Sequence, residues 1–195
     1  MLQLIQSWDE AIMLFFQSIR IPALDPFFLF LSGATEAGFI WIVIALVMAI
    51  WKKNRVTSFD MLLALGLCFC LNDLVIKNII CRPRPYTVIE GLTTIVFQPT
   101  SFSFPSGHAT AGFACSYALR KTGNGKGKWF FFMAAFIALS RPYVGVHYMS
   151  DTLVGVLMGL FGSMLVLWLR RKLLPDETLK KLLFVDRAPK KEKTE

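Results

Sequence analysis

Residues 104–119 read FPSGHATAGFACSYAL, a polar opening followed by small and apolar side chains. Pro105 suits the first turn of a helix, while Ser106 and Gly107 let backbone amides approach a ligand closely. The run beyond His108 is short for a hydrocarbon core, which takes about 20 apolar helical residues. Its Ala, Gly and Ser side chains permit close contact between helices. We therefore expect a short helix inside a membrane bundle, with functional groups at its start.

The composition around this stretch is that of a membrane protein. Of the 195 residues, 55% are hydrophobic, and the mean hydropathy is +0.54, which is too apolar for an ordinary soluble domain of this size. We predict an all-α fold: a polytopic transmembrane helical bundle with five to six membrane-embedded helices in a single domain, residues 1–175, followed by a charged tail, residues 176–195. The longer apolar stretches that support this fold are residues 26–51, 56–80, 129–139 with their flanks, and 149–169.

The N-terminal segment, residues 1–20, differs from these stretches. Its apolar side chains recur at helical spacing, but Asp9 and Glu10 interrupt the run. Two alternatives fit this pattern: an amphipathic helix that lies in the membrane interface, which we favour, or a short spanning helix. The segment has no signal-peptide cleavage pattern, so we expect it to remain in the mature protein.

Basic residues are distributed unevenly between the predicted loops. The net charge is +8, from 21 Lys and Arg against 13 Asp and Glu. The basic clusters at residues 52–55, 120–128 and 170–172 fall on one side together with the tail, and the positive-inside rule makes that side cytoplasmic. We expect a multi-pass plasma-membrane protein with a cytoplasmic C-terminus. The basic tail is expected to be solvated rather than to bind nucleic acid.

The other cations and both histidines fall at the opposite, outer ends of the predicted helices. A phosphate ester carries about two negative charges, and cations stabilise both it and its more highly charged transition state. Arg can bind two oxygens at once, and a helix start adds free backbone N–H groups. The pattern predicts a phosphate site at the extracytoplasmic membrane interface. Arg20 and Arg82 also fall at the outer ends, and the residues that converge on the predicted site are Lys77, Arg84, His108, Arg141 and His147 with Asp151.

The histidines add chemistry to this cationic site. His147 and Asp151 are four positions apart, so on a helix they share one face. A carboxylate on one ring nitrogen fixes the tautomer and leaves the other nitrogen as a nucleophile. His108, arriving from another helix, is placed to protonate the leaving oxygen as a general acid. The sequence thus favours a phosphatase in which His147 attacks the phosphate and His108 donates a proton to the leaving oxygen.

Each of these features has a simpler structural interpretation. A His-x3-Asp pair is often a structural hydrogen bond, a Pro-Ser-Gly cap is common, and Asp73 with Lys77 makes an ordinary i,i+4 ion pair. A second function is also open: a transporter could bind a lipid phosphate through the same cations without cleaving it. Such a protein would not need His147 and Asp151 as a nucleophile pair. The conjunction of all the groups on one rim favours the enzyme.

Three motifs resemble the signatures of the type 2 phosphatidic acid phosphatase superfamily. They are Lys77-x6-Arg84-Pro85, Pro105-Ser106-Gly107-His108 and Ser140-Arg141-x5-His147-x3-Asp151. The resemblance covers residues 77–151, with the order and spacing of the motifs intact. It implies that His147 becomes the phosphohistidine, that Asp151 orients it and that His108 protonates the leaving group. It also implies that the phosphate is held by Lys77, Arg84 and Arg141, with hydrogen bonds from Ser106 and Gly107.

The resemblance extends to substrate class and cofactors. It implies no metal and no cofactor, and a lipid phosphate as the partner of the site; two histidines and scattered carboxylates make a poor metal site in any case. The apolar stretches disfavour the soluble acid phosphatases and haloperoxidases of the same superfamily. Undecaprenyl diphosphate is the favoured substrate, with phosphatidylglycerophosphate and phosphatidic acid as alternatives. The sequence assigns no oligomeric state and no role to Glu36, Asp73 or Arg82.

Overall fold

The computed structural model describes residues 2–123 and 127–185, and all regular secondary structure in these ranges is helical. Three stretches, Pro22–Ile50, Lys52–Val88 and Met149–Leu173, are long and apolar enough to cross a membrane. The predicted all-α bundle of membrane helices is confirmed. Its helices are α1 (Leu2–Ser18), α2 (Asp25–Thr35), α3 (Phe39–Ile50), α4 (Arg55–Phe69), α5 (Lys77–Ile80), α6 (Pro85–Val88), α7 (Gly107–Thr122), α8 (Lys128–Tyr143), α9 (Met149–Leu173) and α10 (Asp176–Leu182).

The first predicted span is broken in its middle. Residues 26–51 were expected to form one helix, but α2 ends at Thr35 and α3 begins at Phe39. In the turn between them, Ala37 (φ 47°) and Gly38 (φ 76°) both have left-handed backbones. Glycine adopts this conformation without a steric penalty, so the chain can change direction here. The break divides the span into two half-helices.

The second span is continuous but irregular. Between α4 and α5, the stretch Cys70–Ile76 has π-helical hydrogen bonding. A π-helical turn inserts an extra residue into a helix and often marks a functional site. The helix ends at Cys81, whose backbone is left-handed (φ 50°). The irregular stretch therefore directly precedes Lys77, a residue that is predicted to bind the phosphate.

Helix α7, the short helix of the opening stretch, lies at the centre of the bundle against α4, α8 and α9. Its packing against α9 depends on two glycines of α9. A Cβ atom on Gly155 would lie 2.6 Å from the carbonyl oxygen of Ser106, and one on Gly159 would lie 2.5 Å from that of Thr110. Both distances are too short for any real side chain. These glycines fix the distance between the helices that carry two of the three motifs.

Helix α1 lies across one end of the bundle, which we call the upper end: α5 and α8 finish there, and α7 and α9 begin there. Asp9 accepts a hydrogen bond at 3.0 Å from the backbone N–H of Ser150, at the start of α9. Arg20 donates to the carbonyl oxygen of Tyr143, the last residue of α8, at 2.8 Å. Since α1 and Arg20, which follows it, contact the starts and ends of different helices at the same end of the bundle, α1 runs across that end, which favours the interfacial alternative.

The lower end of the bundle is held by a buried ion pair. Arg170 donates to Asp60 through Nε at 2.8 Å and through Nη2 at 2.5 Å. It also pairs with Asp176, at the start of α10, whose Leu179 is buried. The segment predicted as a tail from residue 176 thus begins with a packed helix, and Arg170 is not a solvated cation. Lys126 and residues 186–195 of the predicted basic regions lie outside the described residues.

Candidate active site

A cavity of about 480 Å³ opens at the upper end of the bundle. Groups from α5, α7 and α8 and from the segments that precede α6 and α9 meet in its wall, although they are spread over more than 70 positions of the sequence. The broken first span contributes Glu36 to the same wall. The structure therefore brings most of the predicted site residues together around one space. The predicted residues that line it are Lys77, Arg84, Gly107, His108, Arg141 and His147.

His147 lies in the connection before α9 and is 3% exposed. Its Nδ1 atom is 2.8 Å from the backbone carbonyl oxygen of Ser103. Because a carbonyl oxygen only accepts hydrogen bonds, this contact places the ring hydrogen on Nδ1. The lone pair is then on Nε2, which lies 3.3 Å from Nη1 of Arg84. The ring thus presents an unprotonated nitrogen to Arg84, a residue that is predicted to bind the phosphate.

Asp151 is fully buried in the first turn of α9, behind His147. Its Oδ2 atom is 3.7 Å from Nδ1 of His147, longer than a hydrogen bond. The same oxygen accepts a short hydrogen bond from Ser103 and one at 3.0 Å from the backbone N–H of Tyr148. His147 precedes the helix, so the two residues do not share a helix face as predicted. The carboxylate faces the imidazole, while the carbonyl of Ser103 makes the direct hydrogen bond.

Burial sets the charge state of His147. Removal from solvent lowers the pKa of His147 to about 4, and the positive charges of Arg84 and Lys77 act in the same direction. The nearby carboxylate of Asp151 opposes the shift but does not overcome it. The imidazole is therefore neutral at physiological pH, as a nitrogen nucleophile must be.

Two arginines are held rigidly by main-chain and hydroxyl oxygens. Arg84 donates to the carbonyl of Ser101 at 2.8 Å and to that of Val146 at 2.9 Å. Arg141 donates to the hydroxyl oxygen of Ser32, on α2, at 3.0 Å. Both side chains are buried, yet neither guanidinium forms an ion pair with a carboxylate among the described residues. Two buried cations without a protein counter-ion are suited to an anionic ligand.

Lys77 is held by Asp73, one turn earlier on the same helix, through a short ion pair. The amide of Asn72 donates to the second carboxylate oxygen of Asp73 at 3.0 Å. That oxygen also lies close to α7, since a Cβ atom on Gly107 would be 3.1 Å from it. Glycine at this position thus makes room for the carboxylate that positions Lys77. Asp73 acts on the site through Lys77 and the start of α7.

The start of α7 carries two polar atoms that have no protein partner. The hydroxyl oxygen of Ser106 and Nε2 of His108 are buried, and neither has a hydrogen-bond partner among the described residues. The backbone N–H of Ser106 donates to the carbonyl oxygen of Asp151 at 3.1 Å, which joins the starts of α7 and α9. Buried polar atoms are nearly always paired in folded proteins, so Nε2 of His108, which lines the cavity, is suited to contact a polar group of a substrate, whereas Ser106 does not line the cavity.

Sequence reasoning missed several supporting residues. Ser103 lies outside the three motifs, although it contacts both His147 and Asp151. Arg82 was left without a role, but it forms ion pairs with Asp151 and with Asp9 of α1. A second arginine two positions before a motif arginine is a detectable signal; no sequence pattern links it to Asp9. In residues 2–123 and 127–185, no group of three His, Cys, Asp or Glu side chains could hold a metal ion.

Comparisons with known proteins agree on one family. A family model described as the PAP2 superfamily matches residues 57–175. Phosphatidylglycerophosphatase B of Bacillus subtilis is 32% identical over 180 residues, covering 83% of each chain. An undecaprenyl-diphosphatase of Sulfolobus acidocaldarius is 27% identical over 150 residues, 75% of this chain and 70% of that protein. The crystal structure of a transmembrane PAP2-type phosphatidylglycerolphosphate phosphatase from Bacillus subtilis matches with a TM-score of 0.67 at 27% identity, covering 86% of each chain.

Proposed function

The chain belongs to the PAP2 superfamily, and from that premise we propose that it removes the terminal phosphate of a lipid through a phosphohistidine intermediate on His147. The resemblance seen in the sequence motifs is thereby confirmed at the level of the family. The chain is a membrane protein and a phosphatase that acts on lipid phosphates. The proposal adds the residues, the chemical steps and the substrate.

The observation that carries the proposal is the orientation of His147. Its Nδ1 hydrogen is engaged by the carbonyl of Ser103, and its Nε2 lone pair faces the cavity beside Arg84. A histidine that served only as a structural hydrogen-bond donor would not need Arg84, a predicted phosphate-binding residue, next to its Nε2 atom. This arrangement supports His147 as the nucleophile toward a phosphorus atom bound in the cavity.

In the first proposed step, Nε2 of His147 attacks phosphorus, and the bond from phosphorus to the leaving oxygen breaks. His108 donates a proton to that oxygen, so the lipid leaves as an alcohol or as a lipid monophosphate. Arg84, Arg141 and Lys77 balance the negative charge that builds up on the phosphoryl oxygens. The hydroxyl of Ser106 and the backbone N–H of Gly107, at the start of α7, donate hydrogen bonds to the same oxygens.

In the second step, a water molecule attacks the phosphohistidine. His108, neutral after the first step, accepts a proton from this water, and the bond from phosphorus to Nε2 breaks. Inorganic phosphate and neutral His147 are released, so the enzyme returns to its starting state. Asp151 balances the positive charge that develops on the imidazole in both steps.

The cavity wall supports a lipid as substrate. It combines polar and charged groups with apolar side chains, including Phe97, which is 89% exposed. A head group and an acyl or prenyl chain would each find matching surface. Undecaprenyl diphosphate remains the favoured substrate, supported by the relative that bears this activity in its name. Phosphatidylglycerophosphate and phosphatidic acid are the alternatives, the first supported by the Bacillus subtilis relative.

We place the enzyme in the plasma membrane with the upper end facing outward and the C-terminus in the cytoplasm. The support is the distribution of charge in the sequence, because the loop and tail cations cluster at the lower end. The cations at the upper end are engaged in the site instead. Residues 1–175 form the phosphatase domain in this proposal.

Phosphate release from detergent-purified protein tests the function. The substrates are undecaprenyl diphosphate, phosphatidylglycerophosphate, phosphatidic acid and a soluble monoester, with EDTA present throughout. We expect release by the wild type and loss of at least about 10³-fold in His147→Ala. A ³²P label that stays on base-quenched wild type, is lost on treatment with acid and is absent from His147→Ala would identify the phosphohistidine. Binding of the lipids without release from any of them would instead support the transporter.

A further inference from the structure

We propose that Arg82, anchored by Asp9 of helix α1, is a positioning residue that sets the charge balance of Asp151 and thereby keeps His147 in its neutral, attacking form. The inference rests on the proposed function, since it assigns a role within the same site. It gives α1 a part in catalysis although this helix lies outside the residues matched by the family model.

Arg82 does not line the cavity. It contacts the residues at the start of α9 instead. Its Nη1 atom donates to Oδ1 of Asp151 at 2.5 Å and to the hydroxyl oxygen of Ser150 at 2.8 Å. The guanidinium also lies over the ring of Tyr148, 3.8 Å from the ring centre. Every one of these contacts is with the segment that carries His147 and Asp151. The side chain is therefore placed to act on that segment and not on the substrate.

Asp9 fixes Arg82 from the other side. It is 3% exposed and accepts a hydrogen bond at 2.8 Å from Nη2 of Arg82. It also accepts from the backbone N–H of Ser150 at 3.0 Å and from the hydroxyl of that residue. Gln6, one turn earlier on α1, accepts a further hydrogen bond from Nη2 of Arg82 at 3.0 Å. Helix α1 thus supplies a negative charge that holds the arginine in a single position.

Asp151 needs a counter-ion because it is completely buried. A buried carboxylate without a partner strongly destabilises the folded state. Its Oδ2 atom is occupied by Ser103 and Tyr148, and Oδ1 is occupied by Arg82. The arginine therefore supplies the positive charge that allows Asp151 to be ionised 3.7 Å from the imidazole of His147.

Removal of that charge would change the protonation of His147. Asp151 would then be an uncompensated anion beside the imidazole, and it would favour the protonated ring. The other groups near His147 would stay in place. The acid limb of kcat/KM, which reports loss of the neutral nucleophile, would move to higher pH. The charged and titratable groups that face His147 are Asp151, Arg84, Lys77 and His108.

The test compares Arg82→Gln, the double variant Arg82→Gln with Asp9→Asn, and the control Arg20→Gln. Arg20 tethers the other part of α1, through Tyr143 and Thr93, without contacting Asp151. We expect Arg82→Gln to raise the acid limb by on the order of one pH unit and to lower the Tm. The double variant also removes the buried carboxylate of Asp9, which Arg82→Gln leaves unpaired, so we expect its Tm to lie between those of Arg82→Gln and the wild type. Its acid limb of kcat/KM should stay at the higher pH. Arg20→Gln lowers the Tm and leaves the limb unmoved.

A purely structural role predicts a different result. The positioning role is wrong if Arg82→Gln keeps the acid limb of the wild-type kcat/KM profile. It is also wrong if the double variant regains both the wild-type position of that limb and the wild-type Tm. Should Arg82→Gln fail to fold, the double variant alone decides between these outcomes.

A second readout does not depend on activity. The pH dependence of Tm is measured for the wild type and for the double variant, each with and without His147→Gln. The difference within each pair reports the protonation of His147. If the pH midpoint of this Tm difference is the same in both pairs, the inference is wrong, even if no lipid is hydrolysed. Inactivity of the wild type, taken alone, would instead overturn the proposed function.

Discussion

The imidazole of His147 donates its Nδ1 hydrogen to the main-chain carbonyl of Ser103, at 2.8 Å. A main-chain acceptor cannot be lost by a side-chain substitution, so the tautomer of His147 is fixed by the course of the backbone. Asp151, at 3.7 Å, acts on the same nitrogen through its charge. Tautomer selection and charge balance, which a Ser-His-Asp triad assigns to one carboxylate, are here divided between two groups.

This division predicts a moderate effect of Asp151→Asn. The tautomer survives in this variant, so kcat should fall on the order of 10–100-fold rather than the roughly 10⁴-fold that a wrong tautomer costs a serine protease. Initial rates of phosphate release, measured beside His147→Ala, give the ranking. If Asp151→Asn is as inactive as His147→Ala, the carbonyl of Ser103 does not hold the tautomer.

The charge state of His147 predicts the acid limb of the activity profile. Because burial lowers the pKa of His147 to about 4, kcat/KM should fall on the acid side near pH 4 and not near the usual histidine value of about 6.5. His108 faces the positive charges of Arg141 and Lys77, so we expect it to carry its proton only when the substrate phosphate offsets these charges. Loss of that proton gives the alkaline limb of a bell-shaped curve. The measurement is kcat/KM for a soluble monoester in detergent. A monotonic profile, or an acid limb near pH 6.5, would contradict the assignment.

The same shift predicts how stability depends on pH. With a folded pKa of about 4, His147 binds fewer protons in the folded state than in the unfolded state at any pH between about 4 and 6.5. Stability is therefore lost as the pH falls through this window, by up to about 3 kcal/mol from this group. The Tm of the wild type should decline more steeply than that of His147→Gln over this range. Parallel curves for the two proteins would count against a buried neutral imidazole.

The contact between α7 and α9 predicts a large effect of one methyl group. In Gly159→Ala, the added Cβ would lie 2.5 Å from the carbonyl oxygen of Thr110. The helices must separate, and we expect a loss of about 1–3 kcal/mol of stability and reduced phosphatase activity. Gly66→Ala is the matched control, because a Cβ there meets nothing within 4 Å. Equal melting temperatures of the two variants would show that α9 can move away from α7 without cost.

The buried ion pair at the lower end predicts a contrast between two cations. Arg170→Ala leaves the carboxylate of Asp60 buried without a counter-ion, which costs about 3–5 kcal/mol. Lys180→Ala removes an exposed pair with Glu177, worth about 0–1 kcal/mol; the Lys180 side chain is 39% exposed. Detergent-solubilised protein should show a clear drop in Tm for the first variant only. Similar Tm values would mean that Asp60 is neutral in the folded protein.

The groups that carry charge or a lone pair could be predicted from the sequence. Lys77, Arg84, Arg141, His108 and His147 are polar residues at the ends of apolar stretches, and such positions have few explanations other than function. The structure brings all five to one cavity. Their cost in a membrane environment is what makes them visible in the sequence.

The supporting groups were hidden for physical reasons. The carbonyl of Ser103 belongs to the backbone, and every residue has one, so no residue type marks it. The partnership of Arg82 with Asp9 joins positions 73 residues apart, and nothing local in the sequence connects them. The break after Thr35 was missed because Ala37 and Gly38 are common in membrane helices, where a single glycine seldom ends the helix.

The two half-helices α2 and α3 meet at the cavity wall, where Glu36, Ala37 and Gly38 all line the open space. Backbone amides and carbonyls freed by such a break cannot face hydrocarbon, and they are tolerated at membrane depth only within protein or beside water. The break therefore favours a hydrated cavity beside the apolar surfaces of α2 and α3. In the proposed function, a lipid would keep its chain within the bilayer while its phosphate entered this hydrated space, so water would reach the lipid and the lipid would not have to leave the membrane.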